Sequence, residues 1–142
     1  MWIAADYAKA YDLFSKAAAQ GNPSGINGLG ACYQFGAGVQ KNEKKAIEFY
    51  TKAAKLGFDK AQCNLGICYY NGDGVKQNYK KAVQYFEQSA EQGFSYAQYE
   101  LGLCYFNGYG VEKNREKAIM LWEQAADAGN EKALQVLRGI GR

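Results

Sequence analysis

Along residues 59–70 the apolar side chains Ala61, Leu65, Cys68 and Tyr69 fall at i, i+4, i+7 and i+8, one stripe of a 3.6-residue period. This predicts a helix, termed helix A. Beyond a G-x-G-V stretch a second stripe follows, made of Tyr79, Ala82, Val83, Phe86, Ser89 and Ala90. It predicts helix B, opened by Asn78 as N-cap and closed by Gly93 just past its end. The pattern recurs without slippage. Leu29, Leu65 and Leu101 are 36 residues apart, and so are Cys32, Cys68 and Cys104, and Val39, Val75 and Val111. Asn42 with Gly57 and Asn114 with Gly129 repeat the start and stop signals of helix B, and Asn22 followed by Pro23 makes an N-cap and first-turn pair for the first helix A.

Self-similarity at a fixed period changes the meaning of any motif inside it. The stretch "LGICYYNGDGV" suggests a phosphate loop or part of a calcium loop when read alone. A phosphate loop needs a Lys-Ser or Lys-Thr pair after its glycines, or a preceding strand, and neither is present. A calcium loop needs several carboxylates at fixed spacing. Asp73 is alone, replaced by Ala37 and Tyr109 in the sister turns. The glycine pairs 36/38, 72/74 and 108/110 are therefore read as turns with positive φ. Gly30, Gly66 and Gly102 lie inside helix A, where glycine costs roughly 1 kcal/mol relative to alanine. A close crossing with helix B at Ala46, Ala82 and Ala118 is the expected compensation.

The motif L-G-x-x-Y-x-x-G-x-G-V, followed by N-x-x-K-A and by an aromatic and small-residue run ending in glycine, resembles the Sel-1-like repeat family. The resemblance covers nearly the whole chain in three consecutive copies. It implies an all-α fold, a right-handed α/α superhelical solenoid of 36-residue helix-turn-helix repeats related to tetratricopeptide repeats. It also implies a role as a scaffold for protein assembly, without naming a partner.

The expected organisation is one solenoid domain. Residues 6–22 form a partial repeat with helix B only, residues 23–58, 59–94 and 95–130 are full repeats, and 131–142 form a C-terminal capping helix with Arg138 where the packing glycine would stand. The start in mid-repeat fits a fragment of a longer solenoid; the other reading makes Met1, Trp2 and Ile3 a lid over the exposed face.

Composition narrows the chemistry. With 48% apolar and 22% charged residues the chain is globular, and no run of about 18 apolar residues predicts a membrane span. A formal charge of +3 is far from the basic excess of a nucleic-acid binder, so neither nucleic acid nor membrane is an expected partner. The absence of histidine removes the commonest general base and metal ligand. No trio of nucleophile, base and orienting group recurs, so the chain is expected not to be an enzyme. No catalytic, cofactor-binding or metal site is expected, and no cofactor.

Cys32, Cys68 and Cys104 share one core-stripe position on successive A helices about 9 Å apart, too far for a disulfide. Cys63 points elsewhere on its helix. The four are read as free thiols, which places the chain in a reducing, cytoplasmic compartment; the cysteine-rich secreted branch of the family, by contrast, pairs cysteines in both helices.

By the same resemblance helix A lines the concave face. Its off-stripe positions are Asn27, Ala31, Gln34 and Phe35, then Lys60, Cys63, Ile67, Tyr70 and Asn71, then Tyr96, Tyr99, Leu103, Phe106 and Asn107. These are the expected contacts for a protein or peptide partner, with tyrosine and phenylalanine as anchors. Lysines cluster at the turns into helix B, Lys80 and Lys81 among them, and are read as a solvated edge. The function expected is a non-catalytic adaptor; the alternative is an architectural arm, with a homo-oligomer formed through the open N-terminal helix.

Overall fold

The computed structural model describes the backbone of residues 2–142 and the side chains of residues 5–142. Eight α-helices follow one another among these residues: α1 (Trp2–Ala19), α2 (Pro23–Phe35), α3 (Glu43–Lys55), α4 (Asp59–Asn71), α5 (Tyr79–Glu91), α6 (Ser95–Asn107), α7 (Arg115–Asp127) and α8 (Glu131–Gly139). Even-numbered helices are A helices and odd-numbered ones are B helices. Each A–B pair is an antiparallel hairpin, and successive pairs stack into an α/α solenoid.

The helix ends follow from local chemistry. Asn42, Asn78 and Asn114 each accept from the backbone N–H three residues on, at 3.0–3.1 Å, and so satisfy an otherwise unpaired donor at the start of α3, α5 and α7. Their own backbone N–H groups bond back to the carbonyls of Tyr33, Tyr69 and Tyr105 on the preceding A helix, at 2.8–2.9 Å. That bond fixes where helix B starts relative to helix A. The A helices end at Gly36, Gly72 and Gly108, each left-handed, which only glycine adopts without cost.

The second glycine of each turn packs between repeats. A Cβ at Gly74 would strike the backbone of Glu43 at the head of α3, one at Gly110 the backbone of Tyr79, and one at Gly38 that of Tyr7. Each turn is thus seated on the start of the preceding B helix.

Within each repeat the glycine of helix A faces a ring. A Cβ on Gly30, Gly66 or Gly102 would enter the side chains of Tyr50, Phe86 and Trp122 respectively. The crossing is as close as expected, but what fills it is the aromatic residue four positions after the alanine. Ala46, Ala82 and Ala118 are buried beside it. The rings, with Leu65, Leu101 and the thiols of Cys68 and Cys104, form three successive core clusters, bridged by the partly buried Tyr69 and Tyr105.

The N-terminal helix departs from expectation. Asp6, at the position of Asn42 and Asn78, lies inside α1, which begins at Trp2. No glycine turn precedes it, and Ala4 and Ala5 are strong helix formers, so the helix runs on. The lid expected of Met1, Trp2 and Ile3 lies outside the residues whose side chains are described. At the other end α8 forms as expected, with Asn130 accepting from the Ala133 N–H at 3.0 Å.

Candidate partner-binding face

The A helices carry the expected contact residues in one row, but the row has two layers. The lower layer is the seam between neighbouring A helices. Asn64 Nδ2 donates to Asn27 Oδ1 at 3.1 Å, tying α4 to α2. Gln34 accepts from the Tyr50 hydroxyl at 2.6 Å and reaches Cys68 Sγ at 3.7 Å. One repeat on, Tyr70 takes the place of Gln34 and packs with Tyr79 and Tyr109, ring centroids 5.2 and 5.9 Å away. One repeat further, Phe106 lies 5.3 Å from the Trp122 ring with Arg115 above it at 5.6 Å. Ile67 packs on the core of the second and third repeats, and Tyr99 and Leu103 pack against the last core cluster.

Cys63 is a correction. It is 2% exposed and sits in the core with Val83, Phe86 and Leu101, so it cannot touch a partner. Its position, shared with Asn27 and Tyr99, faces the next A helix and not the solvent. Burial first, then the nearby Glu100 carboxylate, pushes its thiol up to about 12. Burial likewise raises Glu100 above the usual carboxylate range, an effect Lys132 offsets in part. Glu100 occupies the position that Asn64 holds one repeat earlier, where the side chain is a neutral amide paired with Asn27 and carries no charge to desolvate.

The upper layer is free. Phe35 is 74% and Tyr96 58% exposed, and Lys60, Asn71 and Asn107 are exposed as well. Lys60 and Tyr96 occupy equivalent positions one repeat apart, as do Asn71 and Asn107. Asn71 and Asn107 each donate through Nδ2 within their own repeat, to Asp73 at 3.4 Å and to the Leu103 carbonyl at 3.0 Å, which leaves the Oδ1 of each exposed residue as an acceptor. The Tyr96 ring rests on Phe94 at 5.5 Å, which limits its freedom.

The lysine edge is not merely solvated. Lys45, Lys81 and Lys117 hold their ammonium groups 5.2, 5.2 and 4.5 Å from the ring centres of Tyr33, Tyr69 and Tyr105, a cation–π contact repeated in every full copy. No pattern of isolated charges announced it; the 36-residue pairing of tyrosine with lysine in each copy was the available signal.

All four cysteines are free and buried, and burial raises the thiols of Cys68 and Cys104 to about 12. Among the described residues no cluster of acidic, cysteine or histidine side chains could hold a metal ion, and no helix is long and apolar enough to cross a membrane.

The Sel1 repeat family model matches residues 2–22, 23–58, 59–94 and 95–130. The chain belongs to the Sel1 repeat family. The first of these matches, residues 2–22, covers α1. A Sel1 repeat protein from Oxalobacter formigenes is 36% identical with a TM-score of 0.83, over 89% of this chain and 53% of that one. The protein c5321, described as a protective antigen of uropathogenic Escherichia coli with an SLR fold, is 36% identical with a TM-score of 0.84, over 94% of this chain and 30% of that one. The Helicobacter pylori cysteine-rich protein B is 27% identical with a TM-score of 0.74, over 95% and 97%. The chain thus spans about half the length of the first relative and under a third of the second. None of the curated proteins matches it. Sel1 repeat proteins are in general protein-interaction scaffolds.

Proposed function

We propose that this chain is a non-catalytic adaptor that holds an extended peptide segment of a partner protein along the A-helix row. The observation that carries the reading is the free upper layer: Tyr96 and Lys60 on one ledge, Asn71 and Asn107 on the other, each pair one repeat apart. An extended peptide crossing obliquely from one A helix to the next can give a backbone N–H to the Oδ1 of Asn71 or Asn107 at the helix C-terminal ends, while an apolar side chain several residues along packs on Tyr96, about 16 Å away along α6. The lower-layer aromatics, Tyr70, Tyr99 and Phe106, support this surface from beneath and contribute rigidity.

A random peptide library displayed on phage and selected against the full chain tests this. Selected peptides should lose binding by 10-fold or more on Tyr96→Ala and several-fold on Asn71→Ala or Asn107→Ala, at unchanged melting temperature. Peptides insensitive to all three changes and lost on Lys80→Glu would move the working surface to the lysine edge and end the proposal.

A further inference from the structure

Between α5 and α7, floored by α6, lies a groove of about 610 Å³ whose lining includes Glu87, Glu91, Gly93, Gln98, Lys117 and Leu121. Its counterpart 36 residues earlier, lined by Thr51, Lys55, Gly57, Gln62 and Tyr85, measures about 400 Å³. In that earlier groove Gln92 Nε2 donates to Gln62 Oε1 at 2.8 Å and to the Gly57 carbonyl at 3.0 Å. In the larger one the equivalent acceptors are Gln98 Oε1 and the Gly93 carbonyl, and the equivalent of Gln92 is Ala128, which has no side-chain donor. Gln98 is 8% exposed and its Nε2 donates to the Ala90 carbonyl at 3.5 Å, while its Oε1 is buried with no hydrogen-bond partner among the described residues. A buried acceptor left unpaired is costly, and a donor arriving there recovers the loss. The charges change at the same step, since Glu87 and Glu91 replace Thr51 and Lys55. Glu87 accepts from the Tyr105 hydroxyl at 3.2 Å and Lys117 lies 4.5 Å over the same ring, so these two charges offset one another. The exposed Glu91 then leaves the groove with an excess negative charge.

We infer that this groove binds a guanidinium group. A nitrogen standing where Gln92 Nε2 stands in the preceding repeat must give two N–H bonds, one to Gln98 Oε1 and one to the Gly93 carbonyl. A planar NH2 group does this with fixed geometry. A neutral amide meets that demand too, but Glu91 in place of Lys55 selects a cation. The guanidinium is the cation that carries planar NH2 groups and has further donors left for a carboxylate. An ammonium is a compact point charge, more strongly held by water. Leu101 and Leu121 supply an apolar wall for the methylenes of the attached chain. Both the arginine side chain of a partner polypeptide and free arginine carry this chemistry. The groove lies between B helices, so the site is separate from the upper layer of the A row.

The probe is N-acetyl-arginine amide, titrated onto the nitrogen-labelled full chain and followed by the backbone and glutamine side-chain amide resonances. Saturable shifts are expected at the Gln98 side chain, Gly93 and Leu121, with N-acetyl-citrulline amide and N-acetyl-lysine amide binding at least 10-fold more weakly. Ala128→Gln, which supplies the missing amide, should weaken binding 10-fold or more without lowering the melting temperature. Glu91→Lys, which restores the residue type of the preceding repeat, provides a second variant with the same expected loss. Free arginine separates the two sources: binding as tight as that of the blocked form assigns the site to the small molecule, and binding several-fold weaker assigns it to an arginine within a polypeptide. No saturable shift with the blocked arginine, equal affinity for it and for the citrulline or lysine form, shifts confined to Lys60, Asn71, Tyr96 and Asn107, or unchanged binding in both variants would each overturn the inference.

Discussion

The two ends of the solenoid solve opposite problems. At the N-terminal end the ring of α1, Phe14, faces Gly28 of the following helix α2, whereas Tyr50, Phe86 and Trp122 each face the glycine of the A helix that precedes them. At the C-terminal end α8 is an A helix in which Arg138, exposed, stands in the place of Gly30, Gly66 and Gly102. The glycine is present where a ring must approach and absent where none does. Its roughly 1 kcal/mol helix cost is accepted only as the condition of the crossing.

The largest effect should come from closing a crossing in the middle. Gly66→Leu forces a side chain into the Phe86 ring and against the Ala82 carbonyl. It should cost about 3 kcal/mol or more, since overpacking alone typically costs 1–3 and here backbone as well as a buried ring would have to move. Thermal melts read this directly, and a variant melting with the parent would remove the glycine–ring account.

A smaller loss is expected at alkaline pH. Folding raises the thiols of Cys63, Cys68 and Cys104 from the ordinary 9.0 to about 12. The unfolded chain therefore releases these protons near 9 while the folded chain keeps them. The stability is present below pH 9 and is lost as pH rises toward 12, with a slope of at most about 1.4 kcal/mol per pH unit per thiol. Denaturant midpoints at pH 8, 9 and 10 should fall in that order. Replacing Cys68 by alanine should flatten the fall, and a pH-independent midpoint would contradict the buried-thiol reading.

Ala128→Gln should stabilise by about 1 kcal/mol. In the second repeat Gln62 donates to the Ala54 carbonyl and accepts from Gln92 Nε2 at 2.8 Å, which also reaches the Gly57 carbonyl at 3.0 Å. In the third repeat Gln98 Oε1 is buried without a partner, because Ala128 occupies the position of Gln92. Restoring the glutamine completes the bond, in the usual range for one buried hydrogen bond. An unchanged or lower melting temperature would show that the two repeats are not equivalent there.

The smallest effect belongs to α8. Arg138→Leu places a helix-compatible side chain where nothing packs, and should shift stability by about 0.5 kcal/mol or less. Set beside Gly66→Leu, the same residue type at equivalent positions two repeats apart then gives the largest and smallest responses. Comparable losses at both would mean the glycine position is sensitive for reasons other than the ring.

Much of this was legible from spacing alone. The period, the asparagine caps, the turn glycines, α8 and the free thiols all rest on local chemistry that repeats every 36 residues. The partner of the helix A glycine was misread, because periodicity names the face of helix B but not which of its residues, Ala82 or Phe86, lies at the point of contact. Cys63 was misplaced for a related reason. A stripe at i, i+4 and i+7 marks the face toward helix B, whereas A helices also touch one another, and the residues of that seam, Asn27, Cys63 and Tyr99, share no chemistry that a sequence reading could recognise. The reach of α1 to Trp2 was missed because the repeat frame imposed a cap at Asp6 that no turn requires.

The proposed use of the A row is tested most directly by mapping where a selected peptide lies. Backbone amide shifts of the labelled full chain, recorded on titration with a peptide from the library, should concentrate at Lys60, Asn71, Tyr96 and Asn107 and their neighbours on α4 and α6. Shifts concentrated instead at Lys44, Lys80 and Met120 on the B helices, with the A row unmoved, would contradict the account.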